Sequence, residues 1–164
     1  MNLRRAVVGV VLVVSISLSL FGQIQARKGK EPLVTKQAKG TFDVKLQPQT
    51  VTDQESGLQR YSLDKQFHGE LEGSSKGEML SAGNPTTGSA GYVAMEIVTG
   101  TLAGRSGSFA LQHNGTLSGG KQQLSVTVVP GSGSGQLTGI NGKMNIIVEG
   151  GMHSYVFDYA LPAQ

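Results

Sequence analysis

Gly100-Thr-Leu-Ala-Gly-Arg-Ser-Gly-Ser-Phe-Ala-Leu-Gln-His-Asn-Gly-Thr-Leu-Ser-Gly119 is the stretch that decides the fold. It opens and closes on the same pattern, Gly-x-Leu-x-Gly, at Gly100–Gly104 and Gly115–Gly119. Two more copies lie outside it, at Gly69–Gly73 and Gly135–Gly139. Each copy is followed within a few residues by another strand-like run. The pattern therefore reads as the end of one strand and the start of a tight hairpin, with Leu packed inward and the second Gly helping the chain reverse. The spacing of the copies is uneven, which excludes a solenoid.

Alternation of apolar and polar residues extends this reading in both directions. Strands are expected near Thr41–Leu46, Tyr61–Leu71, Glu78–Ala82, Tyr92–Leu102, Ser108–Leu117, Leu124–Val129, Met144–Glu149 and Ser154–Leu161. No convincing helical period appears after residue 26. About eight short strands with short connections predict an all-β fold, a single antiparallel closed barrel of the up-and-down type, with a closed sandwich as the other option. The 24 glycines fit a chain of many tight turns. Gly83–Gly91 is expected to be a loop that could act as a flexible lid, and Gln49–Gly57 a polar connection.

A register can be argued for the central hairpin. A turn at Gly104-Arg105 would pair Ala103 with Ser106, Gly100 with Phe109, Val98 with Leu111 and Glu96 with His113. An aromatic ring over a strand glycine favours that choice. A second turn at Gly119-Gly120 sets His113 against Val126 and Leu111 against Val128. Phe109, Leu111, Leu117, Leu124, Val126 and Val128 then share the core face.

Glu96 and His113 would lie side by side on this otherwise apolar inner face. A buried carboxylate must be protonated, paired or hydrogen-bonded. A neighbouring His supplies the partner, and such a pair can exchange a proton near neutral pH. Glu96 and His113 are therefore the candidate catalytic residues, with a structural pair that fixes register as the alternative. Tyr92, Val98, Phe109, Leu111, Val126 and Tyr155 are the expected lining of an interior cavity. On the opposite face Val93, Met95 and Ile97 form an outward apolar row, expected to be a homo-oligomer contact or to be covered by the N-terminal strand.

Other candidates carry less. His153, Tyr155, Phe157 and Tyr159 alternate as a packed seam would. The three His have no metal-ligand spacing, so no metal or cofactor is expected. Gly131-Ser-Gly-Ser-Gly135 lacks the Lys and the helix of a phosphate loop and reads as a bend. Arg105 at a turn tip could meet an anion.

The amino terminus sets the compartment. Arg4 and Arg5 precede an uncharged apolar run, Ala6–Phe21, which is shorter than the ~20 residues a membrane helix needs. A signal peptide over 1–26, cleaved after Ala26, is expected, with an uncleaved anchor as the alternative; a polar leader follows over 27–38 and the barrel domain over 39–164. The protein is then exported, periplasmic or extracellular in a bacterium, with no membrane association after cleavage. The chain has no Cys, which excludes lipid attachment through Cys, disulfides and thiolate metal sites. The net charge of +3 falls to about +1 once Arg4 and Arg5 are removed. The later basic residues are scattered without stacking aromatics, so no nucleic-acid partner is expected.

Gly100–Gly115, together with Val128-Val-Pro-Gly-Ser-Gly-Ser-Gly-Gln-Leu-Thr-Gly-Ile-Asn-Gly142, resembles the bacterial domain-of-unknown-function family 3224. The resemblance covers roughly Lys39–Leu161. It implies a closed antiparallel barrel of the allene-oxide-cyclase-like group with a central cavity, and Glu and His at the positions of Glu96 and His113. The family brings no established activity. Three functions follow in order: binding of a small apolar or amphipathic ligand inside the barrel, an isomerase or cyclase using the Glu–His pair, and a structural or interaction protein with a filled core.

Overall fold

In the computed structural model, residues 34–163 apart from residue 52 are described. The signal peptide expected over 1–26 lies outside the described residues, as does the first half of the expected leader. Eight strands run in chain order: β1 (Val34–Gln49), β2 (Gln59–Gly69), β3 (Leu71–Asn84), β4 (Ser89–Leu102), β5 (Arg105–Ser118), β6 (Lys121–Val128), β7 (Asn141–Glu149) and β8 (Met152–Leu161). Each pairs antiparallel with the next, and β8 returns to β1, so the sheet closes into an up-and-down barrel. Closure gives every strand a neighbour on both sides, although β6 and β7 share only the Thr127–Lys143 pair and β6 leaves the first half of β5 unpaired. Helical structure among the described residues is limited to three single 3-10 turns.

β1 begins at Val34 and pairs along β8 from Val34↔Leu161 to Phe42↔His153. Residues 34–38 of the expected leader are thus strand, and Ala38 is fully buried. β3 spans Leu71–Asn84, far beyond the expected Glu78–Ala82. Its first half, Glu72-Gly-Ser-Ser-Lys-Gly, has no apolar alternation; it is strand because β2 and β4 flank it along its whole length.

Inward side chains alternate along every strand. Phe42, Phe67, Val98, Leu102, Phe109, Leu111, Val126, Met144 and the β8 row Tyr155, Phe157, Tyr159 form one core. The aromatic seam expected on β8 is present: Phe157 stacks on Phe109 with centroids 5.6 Å apart and lies 5.4 Å from Tyr159. Tyr155 also serves as a polar tie, since Leu71 N–H donates to its hydroxyl oxygen at 2.9 Å across the barrel end.

The two ends of the barrel differ. Towards the end where β2 meets β3 and β4 meets β5, the long connection from Val129 to Ile140 runs along the free edge of β5 as a plug. Its Leu137 and Ile140 are buried in the core, and it caps the first half of β5, which β6 does not reach. Ser134 N donates to Ser108 O at 2.8 Å, Ala110 N to Ser132 Oγ at 3.0 Å and Ser106 N to Gln136 Oε1 at 2.9 Å. The Gly135–Leu137 part is a 3-10 turn inside this plug and not a strand end. The opposite end, at the β1–β2, β3–β4, β5–β6 and β7–β8 connections, has no such cover among the described residues and forms a mouth.

The register of β4 with β5 differs from expectation by two residues. The turn is Ala103-Gly104, both with positive φ (50° and 79°), and Leu102 pairs with Arg105. This is the backbone twist that two-residue hairpins favour. Val98 therefore faces Phe109, Glu96 faces Leu111, Ala94 faces His113 and Gly100 faces Gly107. On its other side Gly107 lies against the plug, where a Cβ would strike Ser134 O and crowd Leu137 Cβ. The aromatic covers over strand glycines are elsewhere, with Tyr92 over Gly115 and Tyr155 over Gly40. The β5–β6 register, including His113↔Val126 and Leu111↔Val128, is as expected.

Two further expectations change. Gly83–Gly91 is no lid, because β3 runs to Asn84 and β4 starts at Ser89, leaving only Pro85–Gly88 off the ladder. Asn84 Oδ1 accepts from Thr86 N at 2.9 Å and stiffens that tip. The outward row Val93, Met95 and Ile97 is 52%, 47% and 53% exposed, with Leu80 beside Val93. The N-terminal strand does not cover it, since β1 lies in the barrel wall between β2 and β8.

Candidate functional site

Between the plug and the mouth, the core contains four polar side chains. Lys65, Ser75, Glu96 and His113 are 4%, 1%, 1% and 4% exposed. Each occupies an inward position on its strand, one on each of β2, β3, β4 and β5. Glu96 is the hub. Its Oε1 accepts from Lys65 Nζ at 2.8 Å and from His113 Nε2 at 2.8 Å, and its Oε2 accepts from Ser75 Oγ at 2.6 Å.

Burial acts on this carboxyl first and pushes its pKa up. The His113 hydrogen bond and the Lys65 charge together outweigh burial and hold it down at about 2, against an ordinary 4.5. Glu96 is thus an anion that only accepts hydrogen bonds, so His113 Nε2 must carry a proton. Lys65 is also held by aromatic faces, its Nζ lying 4.9 Å from the Phe42 ring centroid and 5.8 Å from that of Phe67.

The expected pairing of Glu96 with His113 is therefore present, although not as direct cross-strand neighbours. They sit diagonally across β4 and β5, a separation that long side chains span. Lys65 and Ser75 were not anticipated. Lys65 had a signal, since Leu63, Lys65 and Phe67 share the inward phase of β2. Ser75 had none, standing in the Gly/Ser-rich part of β3.

The six expected cavity residues divide. Val98, Phe109, Leu111, Val126 and Tyr155 are buried in the core. Tyr92 alone lines a cavity, one of about 430 Å³ in the barrel mouth. Leu46, Tyr61, Met79, Ala90 and Leu117 contribute most of its apolar wall. The Tyr92 ring lies flat over Gly115, where any Cβ would collide with it. Burial, and then the Glu96 charge, push the Tyr92 hydroxyl up, which places this ring between the cavity and the polar cluster. His113 is the next inward position of β5 below Gly115 and Leu117.

The other two His stand apart. His68 is half exposed beside Asp43 and Glu72, and His153 packs 5.1 Å from the Phe42 ring. Among the described residues no group of three or more His, Asp or Glu converges as a metal site would. Arg105 donates to Pro162 O at 3.1 Å, tying the β4–β5 turn to the chain after β8.

The fold and site define a small closed antiparallel barrel with a charged cluster buried beneath an apolar mouth. The family model described as "Protein of unknown function (DUF3224)" matches residues 38–159, and the chain belongs to that family. A crystal structure of a DUF3224-family protein of unknown function from Shewanella oneidensis MR-1 is similar at 49% sequence identity. It covers 79% of this chain and 100% of its own, with a TM-score of 0.74. No curated protein matches.

Proposed function

We propose that this protein binds a small apolar or amphipathic molecule in the mouth of its barrel. The observation that carries the reading is the 430 Å³ cavity, open at the unplugged end and walled by Leu46, Tyr61, Met79 and Leu117. That volume falls within the range of small-molecule sites, and the mix of apolar walls with few polar groups is typical of them. The binding place differs from the one expected, because the deeper interior is filled by aromatic and aliphatic side chains. The uncharged run Ala6–Phe21 supports placing this activity outside the cytoplasm.

Displacement of the fluorescent apolar probe N-phenylnaphthylamine tests the reading. The wild-type protein should bind the probe with saturable enhancement. Ala90→Trp, which puts an indole into the mouth, should weaken that binding at least about tenfold, the loss expected when a filled site must be vacated. Equal binding by both proteins, or none by the wild type, would refute a site in the mouth.

A further inference from the structure

We propose that the mouth selects an uncharged molecule bearing a hydrogen-bond acceptor, of which a ketone is the simplest case, and that Tyr92 recognises the acceptor oxygen. The proposal rests on the binding reading above and narrows it to a ligand of stated charge, chemistry and orientation.

The exclusion of charge comes from the walls. Among the described residues that line the cavity, none is Asp, Glu, Lys, Arg or His. An ionised group brought into such a space loses its water and gains no partner, which is costly. The cluster beneath gives no relief, because Lys65 and Glu96 are already spent on each other at 2.8 Å.

The demand for an acceptor comes from the floor. Ser81, Tyr92 and Gly115 are direct partners across β3, β4 and β5, and all three line the cavity. Gly115 has no side chain, and Tyr92 Cδ1, Cε1 and Cζ occupy the space that one would fill. The carbon that bears the hydroxyl is thus carried off β4 and laid over β5. The hydroxyl itself makes no hydrogen bond among the described residues. No unpartnered side-chain N or O there is sealed from solvent, so the hydroxyl is open, and the mouth is the open space that Tyr92 lines.

Burial and then the Glu96 charge push this hydroxyl up from its usual 10. At neutral pH it therefore keeps its proton and is able to donate. Tyr61, the other phenol of the mouth, is differently placed: its hydroxyl already donates to Gln59 Oε1 at 3.0 Å. Of the two rings, only Tyr92 has a donor left for a guest.

Orientation follows. The acceptor goes down to the floor, and the apolar body rests against Leu46, Tyr61, Met79 and Leu117. A carboxylate of the same length has two poor choices. Head down, it buries its charge; head up, it sets a hydrocarbon tail against the Tyr92 and Ser81 hydroxyls.

Methyl octyl ketone and decanoate, which have equal numbers of carbons, are the probes, each competing with N-phenylnaphthylamine at neutral pH. On the wild type the ketone should displace the dye at a concentration at least about tenfold lower than decanoate does. Tyr92→Phe keeps the ring over Gly115 and removes only the donor. It should weaken the ketone about threefold to tenfold, the range of one neutral hydrogen bond, and leave the dye's own affinity within about twofold. Infrared difference spectra of the ketone, isotopically labelled at its carbonyl carbon, give a readout that packing alone would not move. The C=O stretch should lie lower on the wild type than on Tyr92→Phe.

Decanoate displacing the dye as readily as the ketone, a ketone affinity unchanged by Tyr92→Phe, or one C=O frequency on both proteins would each overturn the proposal while leaving the binding reading intact. An equal loss of dye and ketone would do the same, since Tyr92 would then matter only as packing. Failure of N-phenylnaphthylamine to bind the wild type would overturn both.

Discussion

At the plugged end of the barrel the inward side chains Phe67, Leu71, Leu102 and Leu137 are all 0% exposed, whereas at the mouth the inward-facing Leu46 and Val148 are 48% and 56% exposed. Both sets obey the same alternation along their strands. One connection separates them: Val129–Ile140 runs along the first half of β5 and turns Leu137 and Ile140 into the core, and nothing comparable among the described residues does so at the second end. Alternation fixes the direction of a side chain, and only the far wall or a plug decides whether it is buried. The charged cluster sits at the boundary between the filled half and the empty one.

The largest expected effect lies at that boundary. Glu96→Gln leaves Lys65 without a counter-charge in the core and should cost about 3–5 kcal/mol in a urea titration, the usual penalty for a stranded buried charge. Most of that loss should be recovered in Lys65→Met/Glu96→Gln; a double variant as unstable as the single would show that the cluster holds the two halves together in some other way.

Next comes a direct contrast between the ends. Leu137→Ala in the plug should cost about 2–5 kcal/mol, as fully buried leucines do. Leu117→Ala at the mouth should cost less than about 1 kcal/mol, because the site is already open on one side. Equal losses would erase the distinction between the ends.

Acid should expose the same boundary. A carboxyl depressed by folding contributes stability above its unfolded pKa and loses it as pH falls towards its folded value. With Glu96 held at about 2 against 4.5, the wild type should lose about 3 kcal/mol relative to Lys65→Met/Glu96→Gln between roughly pH 5 and pH 2. Parallel stability–pH curves for the two proteins would contradict an ionised Glu96.

The smallest effect belongs to the mouth floor. Gly115→Ala drives a methyl into the Tyr92 ring and should cost about 1–3 kcal/mol through overpacking. It should also change tyrosine fluorescence and N-phenylnaphthylamine affinity together. An unchanged affinity would mean that Tyr92 is not part of the ligand's surroundings.

Much of this arrangement could be read from the residues. The Gly-x-Leu-x-Gly copies at Gly100 and Gly115 each lie beside a hairpin, at Ala103-Gly104 and Gly119-Gly120. The first was misplaced by one position along the chain, which moves the register by two. A shift of two preserves which face each residue takes. That is why Glu96, His113, Val98 and Phe109 were all assigned inward correctly while their direct partners were not. The copy at Gly135 misled because a Gly/Ser-rich plug and a hairpin share their composition. Lys65 is hard to read for a different reason: charge in a strand is usually solvated, and only its phase between Leu63 and Phe67 argues otherwise. The cavity's place could not be read at all, since it depends on what the far wall and the plug occupy.

The even number of strands has a consequence of its own. An up-and-down barrel with eight staves brings its last strand back to the end where the first began, and Val34 here pairs with Leu161. Both chain ends of the barrel and the plug therefore share one rim. The other rim belongs entirely to four connections: residues 50–58, Pro85–Gly88, Gly119–Gly120 and Gly150–Gly151. Those four can lengthen, shorten or change sequence without disturbing either terminus or the seal beneath the aromatic core. Over evolutionary time, then, the four rim connections can change while the start of β1 and the end of β8 stay where they are.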